Sequence, residues 1–144
     1  MTVVYEPDGA VTVDELVALY DSVGWSTYTA EPASLAKAVD GSTFVVTARI
    51  DGRLAGLARG LSDDVSIFYL QDVLVHPDHQ RNGIARALLD ICLDRFSHVR
   101  QRVLLTDNEE RQHRLYRAAG YHDVASLKNV PLHAFVSFKD VDLS

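Results

Sequence analysis

With 144 residues, 47% of them apolar and 24% charged, the chain has the size and composition of one ordered globular domain, 1–144, burying roughly two-thirds of its unfolded surface. The net charge of −6 and the absence of long Lys/Arg runs exclude a basic face for nucleic acid. No apolar stretch approaches the roughly 18 to 20 residues of a membrane span, the N-terminus lacks a leader pattern, and the single Cys92 permits no internal disulfide, so a cytoplasmic protein without membrane partners is expected.

After a first strand, Thr12-Val13-Asp14-Glu15 carries the reciprocal capping pattern of a helix start, and Val13, Val17 and Tyr20 follow at helical spacing. This predicts a helix over 13–22, ended by Gly24. Trp25-Ser26-Thr27-Tyr28 reads as an aromatic loop, and Pro32 opens a second helix that runs through Leu35 and Val39 to Asp40-Gly41. From Thr43 the period becomes two. Phe44, Val46, Ala48 and Ile50 share a face, Asp51-Gly52 marks a hairpin turn, and 54–61 returns antiparallel.

Ser62-Asp63-Asp64 makes the next turn, and 65–75 is so continuously apolar that a strand buried on both faces is predicted. Pro77 closes it, and Gly83 opens a helix with Leu88, Cys92 and Phe96 on one side. A strand follows at 102–106. Asp107 or Asn108 caps a further helix, with Glu109 and Glu110 in its first turn, and Gly120 stops it. Residues 121–124 and 134–138 read as the last two strands. The order predicts an α/β (α+β) fold, a mixed sheet with helices on both faces.

Chemistry is concentrated at 73–85, where an apolar strand passes through a short glycine-bearing loop into a helix. The first N–H groups of a helix lack internal acceptors, and its dipole puts partial positive charge there, so such a junction suits a diphosphate. Gly83 lets the backbone approach, Ala85 keeps the surface low, and Arg81 offers a guanidinium. His76 and His79 lack a third metal ligand, so no metal is expected. Cys92 reads as a small buried side chain.

Gln80-Arg81-Asn82-Gly83-Ile84-Ala85, entered from a strand and followed by an amphipathic helix, resembles the Q/R-x-x-G-x-G/A signature of the GNAT superfamily of acetyl-CoA-dependent N-acetyltransferases. Leu115-Tyr116-Arg117-Ala118-Ala119-Gly120-Tyr121 is similar to that family's L-Y-x-x-x-G-F/Y helix ending. The resemblance implies a mostly antiparallel sheet of six to seven strands, splayed between the fourth and fifth. Acetyl-CoA is then the cofactor, with its pantetheine arm along Val73, Leu74 and Val75, the N–H of Val73 donating to the thioester carbonyl, and the diphosphate on the amides of Arg81 to Arg86.

Tyr116 corresponds to the family tyrosine that protonates the departing thiolate. Asp72 is the leading base for the amine, with Gln71 or Tyr69 as water holders, and Trp25 and Tyr28 close the amine pocket. The family's Asn, seven residues before the tyrosine, falls on Glu109 here, with Asn108 one step earlier: either the loop is one residue longer or that cofactor contact is lost. The acceptor is an amine of a small molecule or peptide, and 134–138 can pair with a second copy as a homodimer. The competing expectation is a non-catalytic acyl-CoA-binding module. For Asp72, the alternative role is a carboxylate bonded to backbone or to an Arg.

Overall fold

A computed structural model describes residues Met1–Ser144. They form two compact units, Met1–Thr106 and Asp107–Ser144. The first holds one five-stranded sheet in the order β1 (Val3–Pro7), β2 (Phe44–Ile50), β3 (Arg53–Ser62), β4 (Ile67–Val75) and β5 (Gln101–Leu104). Neighbours from β1 to β4 are antiparallel, and β5 is parallel to β4. Three helices, α1 (Val13–Ser22), α2 (Ser26–Thr29) and α3 (Pro32–Asp40), connect β1 to β2, and α4 (Ile84–Arg95) connects β4 to β5. No helix is long and apolar enough to cross a membrane.

Local signals account for most boundaries. The Thr12 hydroxyl accepts from Glu15 N–H while the Glu15 carboxylate accepts from Thr12 N–H, closing the capping box that starts α1. Asp51 and Gly52 both have positive φ, 51° and 77°, as a two-residue hairpin turn requires. At 25–28 the aromatic segment is not a plain loop: Ser26–Thr29 makes one helical turn. β2 is buried along both faces, since Val45 and Thr47 are as enclosed as Phe44 and Val46. β4 differs from its prediction in the opposite sense, alternating buried and half-buried positions and exposing Gln71.

The sheet is packed on both sides. Leu16, Leu19, Tyr20, Leu35 and Val39 of α1 and α3 join Val45, Leu57 and Leu74 on one face. Against the other, Phe96 at the end of α4 stacks on Phe68 at 4.4 Å between ring centres and meets Phe44 edge-on at 5.8 Å. Phe68 and Leu74 thus serve opposite faces although both are even-numbered. A β-bulge explains this: Gly60 pairs with Leu70 and Arg59 with Asp72, leaving Gln71 as an extra residue that turns the rest of β4 over.

In the second unit, α5 (Glu110–Ala118) is preceded by Glu109 as its N-cap, in place of the expected Asp107 or Asn108. The Asp107 carboxylate accepts from the Glu109 N–H at 2.9 Å instead of capping the helix itself. The two final strands are absent, so the sheet has five strands and not six to seven. After Tyr121, the Asp123 carboxylate accepts from Ala125 N–H and bends the chain into a 3₁₀ turn over Val124–Ser126. Residues 134–138 have strand-forming side chains but no ladder, and Phe135 is 94% exposed. β-propensity reflects fit to a neighbouring strand, and without one it forms nothing.

Candidate functional site

The pairing of β4 with β5 spans only Ile67–Leu70 opposite Gln101–Leu104, so Gln71–Val75 has no strand on that side. The His76 N–H donates to Ala55 on β3, and the Leu74 carbonyl also faces β3, lying 3.1 Å from where a Gly56 side chain would start. By strand alternation Val73 and Val75 direct their backbone groups to the open edge. The Val75 carbonyl accepts there from the Gln80 side-chain amide at 3.0 Å, tying the strand end to the loop that follows. The backbone groups of Val73 on this edge have no strand partner.

Pro77–His79 forms a 3₁₀ turn whose first N–H groups are drawn back onto His76, through its ring Nδ1 and its carbonyl. Arg81 and Gly83 then adopt positive φ, 65° and 78°, on either side of Asn82. Alternation of this kind points successive N–H groups into one concavity, the backbone arrangement that binds anions. Arg81 is a bulky residue held in the left-handed region, a conformation of about 1–3 kcal/mol that persists at ligand-binding loops. The first internal bond of α4 runs from Ala87 N–H to the Gly83 carbonyl at 3.0 Å, so the N–H groups of Ile84, Ala85 and Arg86 have no helix acceptor. Those of Arg81, Asn82 and Gly83 have no backbone acceptor either. Nothing lies within 4 Å of where a Gly83 side chain would point. Donor set, dipole and open space fit a diphosphate.

A second cluster lies on the α1–α3 side of the bulge. The buried Asp72 carboxylate takes Arg59 Nε–H at 2.7 Å and the Tyr20 hydroxyl at 2.9 Å on Oδ2, and the Tyr28 hydroxyl at 3.0 Å on Oδ1. Arg59 also donates to the Ser42 hydroxyl at 3.2 Å and the Ala38 carbonyl at 3.4 Å, and lies over the Tyr28 ring. The Gln71 amide reaches the Tyr28 hydroxyl at 3.2 Å. Trp25 packs beside both tyrosines, with ring centres 5.8 Å from Tyr20 and 6.2 Å from Tyr28. Burial, and then the Asp72 charge, pushes the Tyr20 and Tyr28 hydroxyls above the ordinary tyrosine value, so both remain phenols. Burial opposes the Arg59 charge, but Asp72 more than offsets it.

Trp25, Tyr28, Gln71 and Asp72 are therefore brought together, and so are Val73–Val75 with Gln80–Arg86. Asp72 has the surroundings of an ion-paired carboxylate and not of a solvent-facing one. In the second unit, Tyr116 on α5 is half-buried with its ring 6.1 Å from that of Tyr121, and Asn108 is exposed just before the helix. Sequence reasoning missed Arg59 and Tyr20. The available signal was a lone arginine within the apolar 54–61 run, since a buried charge must find a counter-charge.

The family model for the acetyltransferase (GNAT) domain matches residues 11–137. Among solved structures, a GNAT-family acetyltransferase from Streptococcus pneumoniae TIGR4 is similar at a TM-score of 0.82, with 24% identity over 96% of this chain and 99% of its own. A protein of Xanthomonas campestris pv. campestris described as belonging to the GNAT family is similar at 0.73, with 26% identity over 94% of each chain. An aminoglycoside N-acetyltransferase in complex with CoA is similar at 0.68, with 12% identity over 93% of this chain and 95% of its own. No curated protein matches the chain in sequence. With 127 consecutive positions, 11–137, fitting the domain and a sheet that opens beyond Leu70, the chain belongs to the GNAT acetyltransferase family.

Proposed function

We propose that the chain is an N-acetyltransferase that moves acetyl from acetyl-CoA to an amine of a small molecule or peptide, by direct attack with both substrates bound. The observation that carries this is the run of backbone N–H groups from Arg81 to Arg86, turned into open space by positive φ at Arg81 and Gly83 and lacking backbone acceptors. In this reading those amides and the Arg81 guanidinium hold the diphosphate, Val73 to Val75 receive the pantetheine arm as an added strand, and Asn108 adds a further contact. Gln80 braces the loop through Val75.

Acetyl-CoA, when bound, supplies the thioester. The Val73 N–H donates to the carbonyl oxygen where negative charge develops. The Tyr116 hydroxyl gives a proton to the departing sulfur, a general-acid role open to a phenol. Trp25 and Tyr28 line the amine side. Asp72 acts through the cluster it anchors, because both of its oxygens already accept from buried donors, and the amine's proton leaves to water over Gln71. The fold similarity to an aminoglycoside N-acetyltransferase supports a small-molecule acceptor. The cytoplasm, where Cys92 stays reduced, is the proposed compartment, and 134–138 is the proposed surface for a second copy.

Thiol release from acetyl-CoA over an amine panel tests the activity, and calorimetry with CoA tests the binding. Tyr116→Phe is expected to lower kcat about a hundredfold at low pH and less at high pH, and an unchanged kcat at every pH removes Tyr116 as the acid. The occupied state of Asp72 favours one alternative, a non-catalytic acyl-CoA-binding module. That alternative requires CoA binding without thiol release for any amine.

A further inference from the structure

The bulge at Gln71 decides which backbone groups of β4 reach the open edge. Before it, odd-numbered residues face β3: the Tyr69 carbonyl lies 2.7 Å from where a Gly60 side chain would start, while the Ser66 carbonyl accepts from Gln101 N–H at 2.9 Å on the β5 side. Beyond it the parity is reversed, since the His76 N–H donates to Ala55 and the Leu74 carbonyl faces Gly56. An unbulged ladder would continue from Gly60–Leu70 with Arg59 opposite Gln71. Val73 would then turn its backbone groups into β3, and Leu74 would take the open edge.

Hydrophobicity does not choose between these registers. Past the bulge Leu74 lies on one face and Val73 and Val75 on the other, so a shift of one residue exchanges one apolar set for another. A strand of this kind holds its register weakly. Charge does choose. In the bulged register Asp72 lies directly opposite Arg59, which reaches it at 2.7 Å, and the Tyr20 and Tyr28 hydroxyls complete its donors. Without the bulge its carboxylate would enter the apolar face of Phe68, Ile84, Leu88 and Phe96, and Arg59 would be left on the opposite side of the sheet. Both charges would be stranded, a far larger penalty than any difference between leucine and valine packing.

We propose that the buried Arg59–Asp72 pair sets the register of β4 past the bulge, and thereby selects Val73 as the residue whose N–H faces the open edge. Both are positioning residues, acting on the reaction only through the backbone that they place. The register follows from the pairing geometry, and its consequence for acetyl transfer rests on the acetyltransferase reading above.

Moving the carboxylate by one residue tests this. In the full chain carrying Gln71→Asp and Asp72→Leu, Arg59 regains a partner only if the bulge is lost, and amide hydrogen exchange followed by NMR reads which register is present. Wild type is expected to protect the Leu74 N–H and leave the Val73 N–H exchanging freely, and in the variant the two are expected to trade places. Thiol release from acetyl-CoA over the amine panel is expected to fall about a hundredfold in kcat, as for loss of one oxyanion donor. A variant that still protects Leu74 and leaves Val73 exchanging overturns the inference. A second chain, with Arg59→Met, Asp72→Leu and Tyr20→Phe, has no buried charge to choose a register, and two sets of amide signals are expected for 72–75. A single set with the wild-type pattern overturns the inference even where the first variant does not fold. Thiol release from no amine, with the exchange pattern traded as expected, overturns the acetyltransferase reading and leaves the register inference standing.

Discussion

Replacing Arg59 by Met, a side chain of similar length without charge, isolates the energetics of the buried cluster. The Arg59 and Asp72 side chains are 7% and 4% exposed and meet at 2.7 Å, so water can replace little of what the substitution removes. Deleting one partner of such a pair typically costs about 3–5 kcal/mol, because the other charge stays buried. Asp72 keeps the Tyr20 and Tyr28 hydroxyls, which puts the expected loss near the lower bound, about 3 kcal/mol. That is a large part of the roughly 5–15 kcal/mol that holds a domain folded. Urea unfolding followed by Trp25 fluorescence, without CoA, measures it directly. Changing Asp72 to Leu and Tyr20 to Phe in the same Arg59→Met background removes the stranded charge and a buried hydroxyl, and recovers most of the loss. A single Arg59→Met variant within about 1 kcal/mol of wild type, the range of a surface pair, refutes the reasoning.

Other outcomes follow from single sites. Gly83→Ala meets no atom but must hold φ near 78°, so it destabilises by about 1–2 kcal/mol and weakens CoA binding, which urea unfolding and calorimetry resolve separately. The Cys92 thiol is fully enclosed and pushed up to about 12 by burial, so it stays unmodified by a thiol reagent in the folded protein and reacts on denaturation. Glu15 is held at about 2, below its ordinary 4.5, first by its hydrogen bond from Arg49 and then by Thr12 N–H. Because the folded value is the lower one, its stabilisation is full above about pH 4.5 and disappears as pH falls through about 2, so Glu15→Gln flattens the decline of Tm across that window.

What could be read along the chain was what neighbours in sequence decide. The Thr12–Glu15 capping box, Pro32 at the start of α3, the Asp51-Gly52 hairpin and Gly83 before α4 each act through backbone conformation or hydrogen bonds within a few residues. The loop of unpaired amides proposed to hold the diphosphate was legible for the same reason, since its donors are consecutive in sequence.

Tertiary structure decided the rest. Asp72 meets Arg59 across 13 positions, Tyr28 across 44 and Tyr20 across 52, and no local pattern encodes those separations. The bulge at Gln71 turns Asp72 and Leu74 toward the first three helices, away from the face that an unbroken alternation from Phe68 would have given them. The strand-like 134–138 stays without a ladder, because a strand exists only where another offers its hydrogen bonds. Local backbone chemistry thus specified turns, caps and the run of unpaired loop amides. Whether an acidic side chain is an exposed base or the buried end of an ion pair depended on which distant residues packed against it.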